Sequence, residues 1–309
     1  MPTQNLASVL GGAGGTNLLP RNVSNKIWNK AQAQSIIPTL ATSEPMILGE
    51  NSYPMVTKRP SASIVGEGQQ KPQSQVELGA KMVKPIKAVV GLEFTLESIL
   101  ANPSGILGLL ESEMSGALAR QVDLAILHGR DASTGNAIAG AEYVNQTTNR
   151  VELTTPNNAD AELWAGYGLV VDGATGADFT GFAFDPRMIG VLANARNAQT
   201  GQRLNPDIQM GSAVSSYAGQ KVAVSKTVSG QVDASADTKV RAFGGDWDAL
   251  RFGRVLDIRT KKIEYGDPFG NGDLQGRNCI AYLAEVFFGW AILDLSAFAA
   301  YEDQVAEGA

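Results

Sequence analysis

Residues 103–128, PSGILGLLESEMSGALARQVDLAILH, constrain this chain more than any other stretch, because they specify one unusually long helix. Asn102 offers a side-chain acceptor to the free amides of a first turn, and Pro103 stands where a missing N–H costs nothing. Gly129 supplies the stop. Leu107, Leu110, Met114, Leu118, Val122 and Ala125 recur every three or four residues as one apolar stripe, with Glu111, Ser115, Arg120 and Asp123 off it. At 1.5 Å per residue the rod is roughly 40 Å long, the width of a small domain. A strand-like GLEFTL precedes it and a Gly-rich loop follows it to Gly140, so the helix reads as a girder to which other elements attach.

The rest of the chain offers little of the usual chemistry. Its 309 residues, 44% hydrophobic and 18% charged, suffice for two core-bearing modules. A formal net charge of -6 argues against a dedicated nucleic-acid or anionic-membrane binder, which needs a basic face. One cysteine, Cys279, excludes an internal disulfide framework, and one histidine, His128, removes most zinc sites and His-dependent triads. No run approaches eighteen apolar residues and no basic-then-hydrophobic leader is legible, so a soluble, reducing setting is expected.

The flanking segments look incomplete by themselves. Residues 1–50 carry GGAGG at Gly11–Gly15 and no sustained period, so this arm is expected to lie on something else, such as another subunit. Residues 53–95 read as a long two-stranded hairpin: Val76, Leu78 and Ala80 alternate with polar residues, and a turn cluster runs from Gly66 to Pro72. A lone hairpin is marginal in water, so partners should hold it. Lys58, Arg59, Lys71, Lys81, Lys84 and Lys87 make it the most basic region of an acidic chain, either a protected solvated edge or a contact with an acidic neighbour. Residues 157–245 alternate helix and strand as a compact α/β-type module: AELWAGYGLVV as helix, GFAF entering a helix at Asp185–Pro186, and YAGQKVAV as strand. From Ala242 the pattern turns to strands, ending in NCIAYLAEVFFGWAIL and LSAFAAY.

In this order, the arm with Leu18–Leu19–Pro20, the tip GEGQQKP, the long helix ending LHG, FDPRMIGVLANARNAQTGQRL, GDWDALRFG and the closing strands resemble the major capsid proteins of tailed bacteriophages, the Hong Kong 97 type of shell subunit. That resemblance implies an α+β fold with an N-terminal arm at 1–50, an extended hairpin loop at 51–92 and a peripheral domain at 93–156 and 246–291 with its spine helix at 103–128. It places an axial domain at 157–245 and 292–309. The implied function is a structural subunit that forms hexamers and pentamers around double-stranded DNA in a virion head; an encapsulin-like nanocompartment shell is the alternative. No cofactor or metal is expected. The partners it implies are further copies of the chain, a portal, a separate scaffolding protein, since no long helical segment precedes the arm, and a decoration protein as an option.

Some relatives of that type weld their shells by an isopeptide bond between a loop-tip lysine and a neighbour's asparagine, with a glutamate taking the proton. The matching positions here are Lys71, Asn278 and Glu285, beside the apolar Val286, Phe287 and Phe288. The plainer reading is a solvated turn lysine and a strand-capping asparagine, and it is favoured. Expected inter-subunit contacts are Lys58, Arg59, Glu67, Lys71, Lys81 and Trp28. Asp267, Asn271 and Asp273 read as a turn rather than an ion loop, Cys279 as a core thiol, and His128 as a cation complementing the helix C-terminus.

Overall fold

The computed structural model describes residues 35–101, 106–173, 177–197, 199–209 and 214–303. A short helix α1 (Ile37–Leu40) leads into strand β1 (Ser43–Pro45). Strands β2 (Asn51–Lys58) and β3 (Glu77–Val83) form a separate two-stranded ribbon, and β4 (Ile86–Thr95) returns to the body. Helix α2 (Leu96–Ala101) then precedes the long helix α3 (Ile106–His128). The expected start at Asn102–Pro103 lies outside the described residues. After α3 come β5 (Arg150–Leu153), α4 (Ala159–Val171), β6 (Gly181–Phe184) and α5 (Pro186–Asn194). Then follow β7 (Ser216–Tyr217), β8 (Gln220–Val224), β9 (Val240–Gly245), β10 (Leu250–Ile263), β11 (Cys279–Ile292) and β12 (Phe298–Asp303).

Two larger sheets make the body. One has the order β1-β10-β11-β4, antiparallel except for β1 beside β10; the other has the mixed order β5-β12-β9-β6-β8-β7. The six-stranded sheet is covered on both faces, as alternation along β12 shows: Phe298 and Ala300 enter one core, Ala299 and Tyr301 the other. On the helical side α4 and α5 contribute Leu163, Val170, Met188 and Leu192. Asp185 sits where its sequence context places it, as N-cap of α5, with Oδ1 accepting from Arg187 N at 2.8 Å before Pro186 opens the helix. Gly166 lets α4 approach β12, since a Cβ there would come within 2.3 Å of Tyr301 Oη.

Helix α3 joins the two sheets through one core. Met114 and Leu118 lie in the same cluster as Val286 and Phe288 of β11, and the later Ala125, Ile126 and Leu127 cluster with Val240 and Phe243 of β9. The apolar stripe therefore widens: Leu124, Ala125, Ile126 and Leu127 are all fully buried, so the last two turns are enclosed on every side. Gly129 ends the helix at φ +62°, with its N–H donating to Ala125 O at 2.9 Å and the Tyr143 ring packed where a side chain would otherwise go.

Several limits drawn on the sequence shift against these strands. The paired part of the hairpin ends at Val83, and β4 pairs with β11 from Ile86 to Thr95, so the limit at 92 falls inside a body strand. Strand β5, grouped above with 93–156, pairs with β12 in the six-stranded sheet. The axial region expected at 157–245 and 292–309 thus holds β12 as well and takes one strand, β5, from outside it. Within the arm, residues 35–50 rest on this chain's own body: Ile36 and Ile37 are in the main core and β1 pairs with β10. Residues 1–34, Trp28 included, lie outside the described residues.

Candidate assembly interface

The hairpin has two unlike faces. In its register Ser52 opposes Met82, Pro54 opposes Ala80 and Val56 opposes Leu78, while Tyr53 opposes Lys81 and Met55 opposes Gly79. Directly opposed residues share a face. The Tyr53 face meets the body, where Tyr53 clusters with Met46 and Ala291. The opposite face carries Val56, Leu78 and Met82 at 53%, 75% and 65% exposure. Residues 57–78, including Ile64 and Val65 near the tip, are exposed without interruption. An apolar strand face turned to solvent and not to a core is the feature that calls for a partner.

The lysines near this region are largely occupied at home. Lys58 pairs with Glu77 at 3.4 Å, Lys84 with Glu50 at 2.9 Å and Lys87 with Glu285 at 2.7 Å. Lys81 Nζ donates to Glu142 Oε2 at 2.6 Å and to Ile292 O at 2.5 Å, so this residue, expected at a subunit contact, holds the hairpin to its own body. Arg59, Glu67 and Lys71 are exposed, and among the described residues Arg59 and Lys71 form no ion pair.

Within one chain the three crosslink candidates do not meet. Lys71 stands in the exposed distal loop. Asn278 takes the left-handed conformation, φ 54°, immediately before β11, and its Nδ2 donates to Glu97 Oε1 at 2.6 Å. Glu97 is held below the usual carboxylate range by hydrogen bonds from its own backbone amide and from Asn278. Glu285 lies seven residues further along the chain, about 23 Å away at the rise of a strand, and is taken by Lys87. The carboxylate beside Asn278 is thus Glu97, 181 residues away in sequence and marked by no local signal.

Two polar groups on α3, Asp123 and His128, are buried, not exposed as expected. Asp123, placed off the apolar stripe by spacing, is fully buried; it accepts from Ser35 Oγ at 2.6 Å, Ile36 N at 3.0 Å and Thr227 Oγ1 at 3.0 Å. Burial pushes its carboxyl up to about 6 against these hydrogen bonds. His128 is not the exposed cation expected at a helix end: it is 2% exposed, bonded through Nε2 to Val228 O at 2.9 Å, and burial lowers it to about 4. It is neutral at pH 7 and acts as a core residue packed on Phe243.

Asp267 and Asp273 serve a turn, as expected, accepting from the backbone amides of Asn271, Gly266 and Gly276. Among the described residues no cluster of metal-ligating side chains occurs, and no described helix is long and apolar enough to cross a membrane. Cys279 is buried.

These features define a shell-building tile, and the chain belongs to the phage capsid family, which it matches over residues 15–303. It is a major capsid protein, a structural subunit of the virion. Among solved structures it is similar to a chain of Gordonia phage Cozz, 56% identical, with a TM-score of 0.85 and coverage of 96% of this chain and 95% of that one. A chain of Mycobacterium phage Ogopogo is 35% identical, with a TM-score of 0.82 and coverage of 93% and 97%. The probable major capsid protein gp17 of Mycobacterium phage D29 is 24% identical over 290 residues, 90% of this chain and 88% of that protein. The nanocompartment alternative is not favoured by this set, whose curated members are phage capsid proteins.

Proposed function

We propose that this subunit assembles as hexamers and pentamers into an icosahedral head around double-stranded DNA, with the exposed hairpin face of each copy laid on the body of the next. The observation that carries the reading is that face: Pro54, Val56, Leu78, Ala80 and Met82 side by side in solvent. Taking a fully exposed Val, Leu or Met side chain to full burial contributes about 1.5–3 kcal/mol, so covering the exposed part of Val56, Leu78 and Met82 contributes a fraction of that each, and a closed shell repeats the gain at every edge. The domain division proposed from the sequence serves this reading with two adjustments: the loop ends at Val83, and β5 joins the axial region. A net charge of -6 suits an inner wall that encloses DNA without gripping it. A separate scaffolding protein and a portal, with an optional decoration protein outside, complete the partners we propose.

We read the shell as held by noncovalent contacts, in keeping with Asn278 and Glu285 each occupied by another side chain of the same chain. Electron microscopy of the purified chain tests the assembly: closed particles are expected, and a dispersed small oligomer under all assembly conditions contradicts it. Particles boiled in denaturant should run as monomers on a gel. Ladders of covalent oligomers that vanish in Lys71→Ala would instead assign the weld to Lys71.

A further inference from the structure

A cleft of about 680 Å³ opens between the hairpin root and the body, with β3 on one wall and residues 138–142 and 289–291 on the other. Lys81 is the one charged side chain of the paired strands that bonds across it, among the described residues. We propose that Lys81, held by Glu142, is a positioning residue that sets the angle of the hairpin against its own body, and so where the hairpin meets a neighbouring copy; the last clause rests on the assembly reading above.

The geometry supports an angular role. Tyr53 and Lys81 are directly opposed in the register and share the body-facing side of the ribbon. Tyr53 packs on Met46 and Ala291, an apolar contact without a preferred direction, and forms a pivot. Lys81 adds direction, because it donates at once to a carboxylate and to the carbonyl that ends β11. Glu142 is itself fixed: its backbone oxygen accepts from Trp290 Nε1 at 2.7 Å, and Trp290 stacks on the buried Phe288 with centroids 5.7 Å apart. The hairpin angle is thereby referred to β11 and to the loop that follows α3. Side-chain exposures of 31% for Lys81 and 51% for Glu142 make the pair a weak contributor to stability, so its loss should free the angle without unfolding the chain.

The test is a distance distribution between spin labels at Thr57→Cys on the hairpin and Ala161→Cys on α4, in the full chain diluted into unlabelled chain so that only intramolecular pairs are read. The native Cys279 is buried and stays unlabelled under native conditions. One narrow distribution is expected with Lys81 present, at least a twofold broadening or a displaced maximum in Lys81→Met, which keeps the apolar stem, and recovery in Lys81→Arg. Glu142→Gln should broaden it less, since the carbonyl of Ile292 remains. An unchanged distribution in Lys81→Met overturns the proposal, whatever happens to particles. Broadening with normal particles keeps the angular role and removes the neighbour contact instead.

Discussion

The six-stranded sheet and the hairpin are both β-structure from one chain, yet they obey opposite rules. In the sheet, β12 sends Phe298 and Ala300 into one core and Ala299 and Tyr301 into the other, so each residue of the run is covered at home. In the hairpin, Val56, Leu78 and Met82 occupy an equally regular alternation with more than half of each residue left exposed. A single chain keeps an apolar strand face open only when folding does not depend on closing it. The body therefore carries the stability of the subunit, and on the assembly reading proposed above the hairpin carries the contact with a neighbour.

Substitutions should separate the two roles. The largest effect is expected in the body: Trp247→Ala removes a fully buried ring whose Nε1 donates to Gly181 O at 3.0 Å, and should cost about 3–5 kcal/mol in denaturant unfolding, leaving little folded protein to assemble. The double change Leu78→Asp and Met82→Asp should shift unfolding of the unassembled subunit by no more than about 0.5 kcal/mol while abolishing particles in micrographs. Loss of fold with that pair would merge the two regions into one cooperative unit.

A subtler contrast lies inside the body. Asp123, raised from 3.8 to about 6, binds a proton more readily folded than unfolded, so its contribution to stability grows as pH falls through that window. His128, lowered from 6.5 to about 4, does the reverse: its contribution is complete above 6.5 and is lost as pH falls toward 4. The two offset each other, and stability should be nearly flat between pH 6.5 and 4 as far as these groups decide it. Asp123→Asn removes one side of the balance, so that variant should lose about 2–3 kcal/mol over this range, read from chemical denaturation at a series of pH values. A variant as flat as the parent would contradict the pairing. The smallest effect is expected at Lys58→Ala: its partner Glu77 is 3.4 Å away with both side chains 59% exposed, and neither unfolding nor particle yield should change measurably.

Much of the fold was legible where local chemistry is strong. The α5 start at Asp185–Pro186, the stop at Gly129 and the two arms of the hairpin follow from caps, glycine and period. Pairing at long range was not legible. Nothing local tells that β4 leaves the hairpin to pair with β11, or that β5 pairs with β12 across 150 residues of sequence, because those partners are chosen by the whole sheet. The same limit governs the interface. Alternation of Val76, Leu78 and Ala80 marks one apolar face, but only the register with β2 shows which side meets the body. Lysine clustering is the stronger local signal, yet Lys58, Lys81, Lys84 and Lys87 are paired within the chain and the apolar Val56, Leu78 and Met82 near them are open. Asp123 looked like a surface residue because a helical stripe does not predict a helix enclosed on all sides, and His128 looked like a cation for the same reason.

Hydroxyl-radical footprinting of Met82 and Leu78, compared between unassembled subunits and intact particles with Tyr265 as an exposed body reference, addresses the hairpin face directly. Oxidation of both residues should fall at least severalfold on assembly, beyond any change at the reference. Equal oxidation in subunit and particle would show that no neighbour covers the face, and the division of labour between body and hairpin would fall with it.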